Sequence, residues 1–220
     1  MTILDAPLVV MDGGRIVAVQ GGGLPPQDVE VVDFPGATLM PGLVDAHVHL
    51  AFDAGVDPVA ALVARDAPAA LAAMRAAAAT ALAGGVTTVR DLGDRDYLAL
   101  ELREATSSSA RLPGIVAALL SLYRAGARFI AASDAGIHAD KPHDVARHIP
   151  ATLAAIGLPL PEGLRLVTSA AADACGLTGR KGRLAAGHDG DLLVIDGDPT
   201  ADPTALHRIL AVHARGRRVR

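Results

Sequence analysis

From residue 43 to residue 105 the chain alternates strand-like and helix-like segments in the order β-α-β-α, and that order restricts the fold more than any other feature. Leu43 to Leu50 reads as a strand with its polar groups at one end. An Ala-rich helix follows, with Asp57 as N-cap and Pro58 at the first helical position, and Gly84-Gly85 ends it after Ala83. Asp66-Ala67-Pro68 is a point where this helix can split in two, because proline removes a backbone donor. Val86 to Asp91 is short and β-branched, the pattern of a buried strand, and Tyr97 to Ala105 reads as a modest helix. Parallel strands cannot be joined by a tight turn, so the series implies a parallel sheet with helical crossovers.

Both ends of the chain have a different texture. Leu8 to Met11 and Arg15 to Val19 flank Asp12-Gly13-Gly14, a hairpin turn that needs positive φ. Val29 to Phe34 and Ala37 to Met40 read as two further strands. Near the other end, Asp191 to Asp196 and Ile209 to His213 read as strands, followed by a basic tail, Arg215 to Arg220, expected to be solvated. Between lie the Ser-rich stretch Thr106 to Ser109, a helix from Ile115 to Arg124 and a strand from Arg128 to Asp134. Helices from about Asp144 and from Pro161 to Cys175 complete the middle. The expected division is a composite β unit, residues 1–42 with 177–220, and an inserted α/β unit, residues 43–176.

Composition excludes several classes of function. With 51% hydrophobic residues in 220, the chain has ample material for a core. No charge-free apolar run is long enough to span a membrane, and no signal peptide is evident. A net charge of −4 and 2% aromatic residues give neither the footprint nor the stacking platform of a nucleic-acid binder. The single cysteine, Cys175, cannot form an internal disulfide and reads as a small apolar residue. The expected compartment is therefore the cytoplasm. Of 20 basic residues only Lys141 and Lys181 are lysines, and alanine dominates, a bias that fits a GC-rich bacterial genome.

The strongest chemical signal is His47-Val48-His49. Residues i and i+2 of a strand point to the same face, so both imidazoles can reach one metal ion. Alone, such a pair is weak, since histidines on surfaces and in cores are common. Its context is more informative: PGLVDAHVHL (residues 41–50) follows a β-rich region and opens the α/β segment. This stretch resembles the first barrel strand of the amidohydrolase superfamily, metal-dependent hydrolases built on a (β/α)8 barrel with a small β-sandwich from both chain ends. GGVTTVRDLG (84–93) resembles the second strand of the imidazolonepropionase-like and prolidase-like branches. ASDAG (132–136) resembles the eighth strand, KPHDV (141–145) the loop after it, and residues 179–199 the C-terminal β segment.

The resemblance implies that His47, His49 and Asp134 ligate a divalent metal, zinc foremost, and that Asp134 is the general base for a metal-activated water. The reaction implied is hydrolysis of a C–N bond in a small cyclic amide, imine or dipeptide-like substrate. His143, and less so His138, would border that substrate. Arg90 and Asp91 would line the pocket or pair with each other, while His148, His188, His207 and His213 follow no pattern and are expected at the surface.

Length conflicts with the family pattern. A (β/α)8 barrel alone takes about 250 residues. Here only the first, second and eighth strands are recognisable, and the third to seventh are missing at the Ser-rich junction. The family's bridging Lys or Glu and its later histidines go with them: Lys141 and Lys181 sit in loops, and no histidine lies between His49 and His138. The expectation is thus a partial barrel with open sheet edges, which leaves three outcomes open: a homo-oligomer, a fragment that folds poorly alone, or a gene remnant with an internal deletion. The alternative is a catalytically incomplete remnant, metal-binding or structural, that self-associates through the open sheet.

Overall fold

A computed structural model describes residues 3–93, 123, 126 and 128–220. The helix expected from Tyr97, the Ser-rich stretch, and the helix from Ile115 to Arg124 lie outside these residues, apart from Tyr123.

Strands β1 (Pro7–Asp12) and β2 (Arg15–Gly21) form an antiparallel hairpin. Gly13 and Gly14 turn it with φ of 53° and 81°, and a side chain on Gly14 would sit 2.8 Å from the Arg215 carbonyl oxygen. The strand expected over Val29 to Phe34 is not formed. Val29, Val31 and Val32 are exposed and no described strand pairs with them, so no ladder compensates their backbone.

Strand β3 (Ala37–Pro41) pairs with the opposite end of the chain. Its partner is β6 (Leu192–Asp196), in register from Ala37 opposite Asp196 to Pro41 opposite Leu192. Strands β7 (Ile209–Ala214) and β8 (Arg217–Arg218) complete a four-stranded sheet in the order β3-β6-β7-β8. The basic tail is therefore tied down: the Val219 amide donates to Val212 O at 2.8 Å. β6 is apolar from Leu192 to Ile195 because both of its faces are covered there. Leu192 and Val194 meet Val9 and Met11 of the hairpin. Leu193 and Ile195 face a core that includes Leu43, Val86, Leu164 and Val212.

Strands β4 (Leu43–Val48) and β5 (Val86–Asp91) pair in parallel, as the crossover pattern requires. The helical crossover is split where expected. Helix α1 (Pro58–Ala64) is capped by Asp57 and α2 (Ala67–Ala83) by Asp66, each carboxylate accepting a backbone N–H at 2.9 Å. α2 buries Ala70, Met74, Ala77 and Ala81, a stripe at helical spacing, and the first three pack with Val48 and Leu50.

The segment from Arg128 to Asp134 is not a regular strand. Only one isolated parallel bridge, between Val48 and Ala135, marks its path beside β4. At its end the Ser133 amide bonds the Asp45 carboxylate of β4 rather than a strand carbonyl, and Asp134 turns to a left-handed φ of 56°.

Further on, a 3-10 turn (Val145–His148) leads into helix α3 (Ile149–Ala155). The single helix expected from Pro161 to Cys175 is two, α4 (Leu160–Leu166) and α5 (Ser169–Ala174). It breaks at Val167, whose carbonyl accepts the Val44 amide at 2.8 Å and so serves the start of β4. α5 then packs its Ala171 and Ala172 on Val44 and Ala46. The fold is mixed α/β, and among the described residues no closed barrel is present. Nor is any described helix long and apolar enough to cross a membrane.

Candidate metal centre

β4 divides its side chains by period two. Val44 and Ala46 go to α5 and Val48 to the α2 cluster, which leaves Asp45, His47 and His49 for the other face. The two imidazoles meet edge to face with centroids 5.4 Å apart. His47 Nε2 lies 3.1 Å and His49 Nε2 3.5 Å from Asp134 Oδ1. One ligand atom from each residue falls within 4.8 Å of the others. His49 Nε2 and Asp134 Oδ1 are buried without a hydrogen bond. Two nitrogens and one carboxylate oxygen, converging in this way, suit a divalent transition metal.

Each ligand is oriented from behind. His49 Nδ1 lies 3.5 Å from Gly93 O, which favours the tautomer that leaves Nε2 free to coordinate. Gly93 is held in turn by its amide donating to Asp91 Oδ1 at 2.8 Å, while Asp91 Oδ2 accepts the Leu50 amide at 2.9 Å. Burial raises the Asp91 carboxyl above its usual range, opposed by these amides and by His49 and His143. Asp134 is placed by its own amide, which donates to His47 O at 2.8 Å, and by the His49 amide donating to Ala135 O at 2.9 Å. Its second oxygen accepts the Lys141 ammonium at 2.9 Å. Lys141 is thus a loop residue that reaches the centre.

Asp45 lies almost wholly buried near the triad. Its carboxylate accepts the Ser133 amide at 3.0 Å, the Ser133 hydroxyl through a short contact, and the His47 amide at 3.3 Å. Burial pushes it up to about 6, the Ser133 and His47 donors pulling the other way and Asp134 adding to the rise.

The remaining candidates separate. His143 is buried, its Nε2 3.3 Å from His49 O, and burial lowers its pKa. Gly136 permits this packing: a side chain there would meet His49 O at 2.2 Å and His143 Nε2 at 2.9 Å. His138 stands on the exposed loop and faces Asp140 at 3.3 Å. No ion pair joins Arg90 to Asp91 among the described residues, and burial pushes the thiol of half-buried Cys175 up, the nearby Arg90 opposing the rise. His188 and His213 are buried, contrary to the surface placement expected of them, and His148 stacks on His207 at 4.4 Å. Lys181 joins Asp189 and Asp191 in a buried ionic cluster far along the chain from the centre.

Asp45 and Ser133 were not among the residues singled out from sequence. The available signal was the spacing of two in Asp45-Ala46-His47-Val48-His49, and the serine directly before Asp134.

Residues 72–220 match the model of the amidohydrolase family, and the chain belongs to that family. A comparison with curated sequences returns no match. Solved structures share the fold. Molinate hydrolase aligns with a TM-score of 0.78 at 14% identity, over 96% of this chain and 90% of that one. Phenylurea hydrolase B aligns with 0.75 at 15% identity, over 97% and 92%. A Xaa-Pro dipeptidase with bound methionine in its active site aligns with 0.67 at 14% identity, over 96% and 94%. Family membership supports a hydrolase of C–N bonds.

Proposed function

We propose that this chain hydrolyses a C–N bond of a small cyclic amide, imine or dipeptide-like molecule, using His47, His49 and Asp134 with a divalent metal, zinc foremost. The observation that carries this reading is the convergence of the three ligand atoms where residues 133–135 cross the end of β4. In this reading, residues 1–42 with 177–220 form the supporting β unit and residues 43–176 the catalytic one.

A zinc ion held there supplies Lewis acidity and brings water to a pKa of about 7. His47 and His49 contribute neutral imidazole nitrogens. The Asp134 carboxylate takes a proton from the attacking water and returns it to the leaving nitrogen. Lys141 fixes the carboxylate through Oδ2, leaving Oδ1 turned toward the histidines. His143 acts through the His49 carbonyl. His138, exposed on the following loop, is the loop histidine open to a bound substrate.

Zinc-loaded protein assayed against Xaa-Pro dipeptides, cyclic amides and imidazolone-type rings tests the reading. Turnover of one class, lost in Asp134→Asn, is expected. Absence of turnover throughout, with one zinc bound per chain, contradicts catalysis.

A further inference from the structure

Asp134, whose carboxylate meets the histidines, has its backbone in the left-handed region, at φ 56°. That conformation is disfavoured for any residue with a side chain and persists only where neighbours enforce it. The amides of Asp134 and His49 tie residues 134 and 135 to β4. Among the described residues both groups that Ser133 donates, its amide and its hydroxyl, go to Asp45. The Ser133 amide and hydroxyl both donate to the two Asp45 oxygens, and the hydroxyl oxygen accepts the Ala135 amide at 3.0 Å. Asp45 therefore grips the residue before Asp134, and through Ser133 Oγ the residue after it.

A buried carboxylate is costly, and an apolar side chain would fill the same space more cheaply. What only a carboxylate offers here is two acceptors at fixed separation for the amide and the hydroxyl of one residue. We propose that the Asp45–Ser133 pair is a positioning clamp that sets the backbone of Asp134, and thereby the oxygen that is the third ligand of the centre, relative to His47 and His49. The proposal rests on the metal-centre reading above and adds residues that touch neither metal nor substrate.

The test is Zn2+ affinity of the full chain, measured by competition with a chromophoric chelator, for wild type, Ser133→Ala, Ser133→Thr and His47→Ala. Partners behind metal ligands typically change affinity about 10- to 100-fold when removed. Ser133→Ala is expected to fall in that range while its apo circular dichroism spectrum stays native. Ser133→Thr, which keeps the hydroxyl, is expected to recover most of the loss. Wild-type affinity in Ser133→Ala, or an equal loss in Ser133→Thr, overturns the clamp. If His47→Ala also binds like wild type, the metal-centre reading fails and takes the clamp with it, whereas loss in His47→Ala alone overturns only the clamp. Should Ser133→Ala not fold, Asp45→Asn replaces it. Asn keeps the amide's acceptor but places a donor against the hydroxyl, so weakened affinity with native apo structure supports the clamp and unchanged affinity overturns it.

Discussion

The β3-β6-β7 sheet and the site region of β4 with residues 128–136 are built on opposite principles. In the sheet, β3 from one end of the chain meets β6 from the other in unbroken antiparallel register, β7 follows with a single shift between Val194 and Ile195, and β6 buries both faces. Its order comes from apolar area and backbone ladders. Beside β4, residues 128–134 form no ladder, and residues 133–136 are held by a few backbone bonds joined with side-chain acceptors, one left-handed aspartate and a close-packed glycine. The first arrangement tolerates no loss of volume. The second spends backbone regularity on aiming one carboxylate, so its residues should matter more for ligation than for stability.

The largest effect should come from breaking the sheet. Leu193 is fully buried, and Leu193→Ala should cost about 2–5 kcal/mol of unfolding free energy in urea titration. Gly136→Ala should come next. Its φ of 98° and the 2.2 Å approach to His49 O impose strain of about 1–3 kcal/mol, and zinc affinity should fall as His49 is displaced. Asp134→Gly sharpens the contrast. Glycine adopts the left-handed backbone freely, so stability should stay within about 1 kcal/mol of wild type while zinc affinity collapses.

The smallest effect concerns pH and belongs to the sheet. Burial, with Arg218 adding, lowers the His213 pKa from its ordinary 6.5. Its neutral form therefore suits the folded state. Above 6.5 neither state is protonated and the fold keeps its full stability. As pH falls below 6.5, the unfolded chain gains a proton first and stability declines. Replacing His213 by Gln should flatten that decline by under about 1 kcal/mol, seen in melting curves from pH 7 to 5.

The same contrast explains what the sequence revealed. The β6 and β7 runs, the split at Asp66 and the Asp57 cap were legible because local pattern and tertiary setting agree there. His47, His49 and Asp134 were legible through family-like motifs. The strand expected at Arg128 to Asp134 misled because the Ser133 amide answers to Asp45, 88 residues away, and the Ala131 amide to the Leu166 carbonyl, partners that no local window contains. Val167 broke the expected helix from Pro161 for a similar reason, its carbonyl being needed by Val44. Val29 to Phe34 has strand composition without a described strand to pair with. His143 was found by its motif, but its burial behind His49 depends on packing that only three dimensions supply.

The most direct test of the account is zinc stoichiometry and affinity in the wild type and in Asp134→Ala, side by side. The account predicts one zinc per wild-type chain and an affinity loss of at least about 100-fold in the variant, with an unchanged apo fold. Equal binding by both proteins would contradict it, because the carboxylate aimed by residues 133–135 would then have no part in holding the ion.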